Sequence, residues 1–143
     1  MTRRGPWLCG LFVWAAMTGC RHAPAPTGTG AREAVQNYYD ALLRQDWAQA
    51  YAGLHPDSRG HWNAEEFSRR ASAYCRGLDF EPQEVRIRSC EEHEAEAIAH
   101  VVLAGRSSSQ PRSYKDSLVL RFSGGQWGVV LPADFGRAKN RRS

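Results

Sequence analysis

Apolar residues recur at three- and four-residue steps through the middle of this chain and at every second residue through its last third. Ala31, Ala34, Val35, Tyr38, Ala41 and Leu42, with charged residues between them, predict a first amphipathic helix. Asp46 is a good N-cap type, and Trp47, Ala50, Tyr51 and Leu54 predict a second helix behind it. His55-Pro56-Asp57-Ser58 predicts a break, because a proline disfavours helix at the residue before it. A third helix is expected from Asn63, with Glu66 completing a capping-box pattern, through Phe67, Ala71 and Tyr74 to Gly77.

The period then drops to two. Val85, Ile87 and Ser89 alternate with polar residues and predict a first strand. Residues 95–104 predict a long second strand with Ala97, Ala99, Val101 and Leu103 on one face and Ile98, His100 and Val102 on the other. Leu118, Leu120 and Phe122 mark a third strand. Ser123-Gly124-Gly125-Gln126 reads as a hairpin turn, and Trp127, Val129 and Leu131 return as a fourth strand that Pro132 ends. Helices followed by an antiparallel sheet make an α+β domain.

The segment before the first helix is of another kind. Two arginines, Arg3 and Arg4, stand before an uncharged stretch that is apolar mainly from Trp7 to Met17. That is the layout of a secretory signal peptide, too short for a comfortable membrane-spanning helix of about 20 residues. An ordinary cleavage site fits poorly, since small residues are wanted at −3 and −1 and Met17 or Trp14 would stand at −3. Met17-Thr18-Gly19-Cys20 resembles the lipobox of bacterial lipoproteins, with Met17 in place of the usual leucine. The resemblance implies a signal peptide over residues 1–19, and lipid attachment at Cys20 through a diacylglyceryl thioether and usually an amide-linked acyl chain. It also implies a partner, the membrane. Arg21 stands where many inner-membrane lipoproteins carry aspartate, so an outer membrane is favoured if the host is Gram-negative. Residues 20–30, rich in Pro, Gly and Thr, are expected to form a flexible tether reaching about 30 Å.

Charge narrows the picture further. The chain carries 19 Lys and Arg against 15 Asp and Glu, a formal +4. Seven of those cations lie in the leader, the tether or the basic tail expected to be unstructured over residues 137–143. The expected domain, residues 31–136, therefore holds 12 basic and 15 acidic residues, a net −3. A nucleic-acid binder carries its basic surface on the folded part, so no nucleic-acid partner is expected.

The order of elements and the stretch from Asp46 to Ser58 are similar to the NTF2-like superfamily. The resemblance implies a cone: three N-terminal helices packed in a curved antiparallel sheet of four or more strands. Members of that superfamily include enzymes, ligand binders and proteins that pair through the sheet, and fold alone does not choose among them. A non-enzymatic domain binding a small apolar ligand or an envelope protein is the first expectation. An isomerase- or dehydratase-type enzyme and a structural module forming a homodimer through the sheet are the alternatives.

Few residues offer chemistry. No spacing of Cys and His matches a zinc site, and no phosphate-binding loop, dinucleotide fingerprint or nucleophile elbow occurs, so neither metal nor cofactor is called for. The run Glu91-Glu92-His93-Glu94-Ala95-Glu96 reads as a solvated charged turn. Cys75 and Cys90 are an even pair that an oxidising compartment allows to bond, or two free half-buried thiols. Aromatic residues are dense, and Tyr38, Trp47, Tyr51, Trp62, Tyr74 and Trp127 are the candidate pocket lining. Asp116 and His100 are the sheet residues to examine for polar groups facing inward.

Overall fold

The structure, a computed structural model, describes residues 28–137. The leader, Cys20, most of the expected tether and residues 138–143 of the tail lie outside the described residues.

Helix α1 (Ala31–Leu43) buries the stripe that its periodicity marks, Val35, Tyr38, Ala41 and Leu42, and also Tyr39. Helix α2 (Trp47–Ala52) starts at Asp46, whose carboxylate accepts the Gln49 N–H at 3.1 Å. The expected break after it is the start of another helix, so the domain has four helices where three were expected. In α3 (Pro56–His61) Pro56 occupies the first turn, where its missing N–H costs nothing. His55 caps it: its buried ring accepts the Asp57 N–H at 3.2 Å through Nδ1. Helix α4 (Ala64–Arg76) is capped by Asn63, which accepts the Glu66 N–H at 2.8 Å, and it buries Phe67 and Ala71.

Four strands complete the domain as an antiparallel meander in the order β1-β2-β3-β4: β1 (Glu81–His93), β2 (Glu96–Ser107), β3 (Gln110–Ser123) and β4 (Gln126–Val130). The inner face of β2 is the one its alternation predicts, with Ala97, Ala99, Val101 and Leu103 all buried. Irregularities in the β1–β2 register at Pro82/Glu84 and Ile87/Ser89 bend the edge strand, as an extra residue does in an antiparallel pair. The helices lie against the concave side. Most of the core is the contact of α1 with β1 and β4, and of α2 with α1 and α4.

Strand β3 is longer than its alternation suggests, beginning at Gln110 rather than Leu118. Its first six residues are all exposed, inward-facing Tyr114 included. The β2–β3 hairpin therefore projects beyond the cover of the helices, and this half of the strand lacks the apolar–polar contrast that a buried face imposes.

Cys75 and Cys90 are free thiols, which corrects the bridge expected as one possibility. The end of α4 turns directly into the start of β1, and Cys90 lies nine positions on from Glu81. At about 3.3 Å per residue that is a run of up to ~30 Å, whereas bonded cysteines have Cα atoms about 4–7 Å apart.

Segment 53–55 closes the β4 edge. The His55 N–H donates to the Val129 carbonyl at 2.8 Å and the Val129 N–H to the Gly53 carbonyl at 3.0 Å. Gly128 makes this approach possible, because a Cβ there would lie 2.7 Å from both the Cα and N of His55. Gly128→Ala is expected to destabilise the domain by about 1–3 kcal/mol, the usual cost of overpacking, read as a lower urea midpoint with unchanged slope.

Candidate functional site

Asp116 is where three elements meet. It lies on the inner face of β3, paired across to Val101, at the point where the strand passes from the exposed wing to the buried half. Its Oδ2 accepts the hydroxyl of Tyr39 from α1 at 2.9 Å and that of Tyr74 from α4 at 2.6 Å. Its Oδ1 accepts the Ser117 N–H at 2.8 Å. Among the described residues no cation forms an ion pair with it. An ionised carboxylate offers about four lone-pair sites. Three are occupied here, and the remaining one is on Oδ1.

The phenols around it are held neutral. Burial pushes the Tyr39 hydroxyl far above the ordinary phenol range, with neighbouring Tyr74 and Asp116 adding to the shift. Burial also raises Tyr74, followed by the charge of Asp116 and the hydrogen bond to it. Tyr38, next to Tyr39 in an edge-to-face contact at 5.4 Å, is 2% exposed. Its hydroxyl is buried with no hydrogen-bond partner among the described residues. Burial raises its pKa most, and the charge of Asp116 comes next. A buried hydroxyl without a partner costs about 1–3 kcal/mol, so the fold carries an unsatisfied group whose pKa the charge of Asp116 also raises.

The remaining candidate residues do not join this cluster. Tyr51 donates its hydroxyl to the Trp62 carbonyl at 3.0 Å and packs on Phe67 at 5.7 Å. Phe135, from the segment after β4, contacts Phe67, Trp62 and Tyr74 at 6.1, 6.3 and 5.3 Å. The Arg70 guanidinium covers Trp62 at 5.3 Å and donates to the Phe135 carbonyl at 3.1 Å. These rings fill space by packing on one another. Trp47 is half-buried against the core. Trp127 lies toward the other end of the sheet, and its Nε1 donates to the Thr29 hydroxyl at 2.7 Å, while that hydroxyl donates to Glu92 at 2.6 Å. His100 is exposed on the convex face, its Nδ1 2.8 Å from the Ser117 hydroxyl, and takes no part in an inward site. The acidic run is a charged turn whose Glu96 pairs with Arg121 at 2.9 Å.

Of the expected lining, the structure thus brings together Tyr38, Tyr74 and Asp116, and adds Tyr39. Position 39 follows Val35 by four residues and precedes Leu42 by three, so helical spacing already marked it as core. Two open grooves lie elsewhere: one of ≈ 720 Å³ between Arg32, Gln36, Ile87 and Cys90, and one of ≈ 390 Å³ at the β1–β2 edge around Gln83 and Gly105.

The three raised tyrosines set a pH dependence. An unfolded chain releases phenol protons above about pH 10, while the folded chain keeps them, so stability is complete below pH 10 and falls as pH rises beyond it. Each contributes a slope of about 1.4 kcal/mol per pH unit. Urea unfolding between pH 8 and 11 is expected to show this decline, and Tyr74→Phe to make it shallower.

No protein-family model and no curated protein matches the chain. Solved structures do. A SEC-C motif protein from Rhodopseudomonas palustris superposes with a TM-score of 0.54 at 16% identity, covering 71% of this chain and 77% of that one. An NTF2-like protein from Campylobacter jejuni superposes with a TM-score of 0.54 at 11% identity, covering 71% of this chain and 97% of that one. At these identities the likeness is one of fold. Helices in the curve of a four-stranded antiparallel sheet, with these neighbours, make the domain an NTF2-like α+β cone.

Proposed function

We propose that this protein is a lipid-anchored envelope protein whose NTF2-like domain binds a small ligand at the Asp116 end of its concave face, without catalysis. The observation that carries the non-catalytic reading is the state of the Asp116 carboxylate. Both lone pairs of Oδ2 are taken by Tyr39 and Tyr74 and one of Oδ1 by the Ser117 N–H, so a single Oδ1 site is all the carboxylate has left to accept a proton. The two phenols are poor catalytic acids, because an efficient proton donor has a pKa near the working pH and these lie far above it. The packed rings of Phe67, Trp62 and Phe135 leave the exposed wing around Tyr114 as the ground for a ligand.

The anchor rests on the sequence Met17-Thr18-Gly19-Cys20. No helix among the described residues is long and apolar enough to cross a membrane. Two or three acyl chains, at about 0.8 kcal/mol per buried CH₂, are enough for lasting attachment. Cys20→Ala is therefore expected to move the protein from the membrane fraction to the soluble one. A variant that still pellets with membranes would remove the lipid from this reading.

A second reading has its own observation. Ile98 and Val119, directly paired across β2 and β3, are 47% and 38% exposed on the convex face. A homodimer through the sheet would cover them. On that reading the domain sediments as a dimer and Ile98→Glu converts it to a monomer; a wild-type monomer at all concentrations dismisses it.

A further inference from the structure

The carboxylate of Asp116 is half-buried, has no cationic partner among the described residues, and keeps one lone pair on Oδ1 free. Withdrawing a charge from water without an opposite charge is unfavourable, and a bound cation would offset that cost. A second observation marks the same place. The Tyr38 hydroxyl, shut off from solvent, has no partner among the described residues, and its pKa is raised by Asp116 as well as by burial. A buried group of this kind is uncommon in native folds, and functional sites are one of the places where it occurs.

The surroundings define what fits. Tyr74, half-buried, and Tyr114, 37% exposed, are the aromatic neighbours on the open side. The two are close enough that Tyr114 contributes to the raised pKa of Tyr74. Tyr114 is one inward-facing position further along β3 and pairs with buried Leu103. Tyrosine faces attract cations within about 6 Å of the ring centre. An anion would be repelled by Asp116, and a neutral apolar molecule would leave the free lone pair unmet.

We propose that Asp116 is the anchoring point for a small protonated amine, which donates an N–H to the free Oδ1 site and lays its apolar part against Tyr74 and Tyr114. This rests on the reading of the domain as a ligand binder and gives its ligand a charge. A charge-assisted hydrogen bond with one or two aromatic contacts predicts a dissociation constant on the order of 1 mM for a minimal probe.

The test uses the full-length chain in detergent, with tyrosine ring resonances followed by NMR. The probes are n-butylammonium, the neutral n-butanol and butyltrimethylammonium, which keeps the charge but has no N–H. Saturable shifts at Tyr74 and Tyr114 are expected with butylammonium, at least tenfold weaker binding of butyltrimethylammonium, and none of n-butanol. Asp116→Asn keeps an oxygen that can accept from both phenols and is expected to weaken the amine at least tenfold, with near-UV circular dichroism checking the fold. Tyr114→Leu, at an exposed position, should weaken it about threefold. Equal binding of n-butanol and butylammonium, or unchanged affinity in Asp116→Asn, overturns the amine while leaving a small-ligand domain in place. Failure of all three probes to shift either ring overturns the site itself. Membrane release by Cys20→Ala is independent of each of these results.

Discussion

Side-chain packing sets the approximate angle between a curved sheet and a bundle of short helices, and polar contacts between them fix it further. Besides the backbone bonds of segment 53–55 to β4, one such contact in this domain is a single carboxylate. Asp116 holds Tyr39 of α1 and Tyr74 of α4 through a single oxygen, tying residues 77 and 42 positions away to β3. Hydrogen bonds to a charged group contribute about 1.5–3 kcal/mol each, more than neutral ones. The aromatic layer of Tyr51, Phe67, Trp62 and Phe135 supplies apolar burial but little direction. Direction comes from the two phenols, whose burial keeps them in the neutral, donating form.

The same arrangement limits what Oδ2 and the two phenols can do. Catalytic carboxylates have a free acceptor facing the reacting atom, and catalytic acids have a pKa near the working pH. Here the oxygen shared by the tyrosines is occupied, and the hydroxyls hold their protons tightly. The remainder is an open lone pair on Oδ1, a carboxylate that no cation among the described residues pairs with, and the exposed ring of Tyr114.

Much of this architecture was legible in the pattern of residues, and the parts that were not have physical causes. The stripes of α1 and α4 and the alternation of β2 were readable because each has one buried and one solvated face. Helix α3 was hidden because Pro56 both ends α2's pattern and suits the first turn of a new helix. The first half of β3 was hidden because residues 110–115 are exposed on both faces. The resemblance to the cone fold predicted the layer order, but not where polar groups would meet inside it. The sequence marks Asp116 and Tyr74 only separately, and helical spacing gives Tyr39 no more than a core position. Their convergence depends on contacts far apart along the chain, which periodicity cannot encode. His100 shows the converse: its strand position already placed it beside Ile98, on the side facing water.

The clasp between Thr29, Trp127 and Glu92 has a directional consequence. Trp127 pairs with Phe122, six residues from Asp116 along β3, a separation of about 20 Å. Thr29, where the described chain begins to pack on the sheet, therefore lies at the end of the sheet away from the Asp116 cluster. A pull on the chain at Thr29 would be felt first by the Trp127 indole, far from the tyrosine cluster.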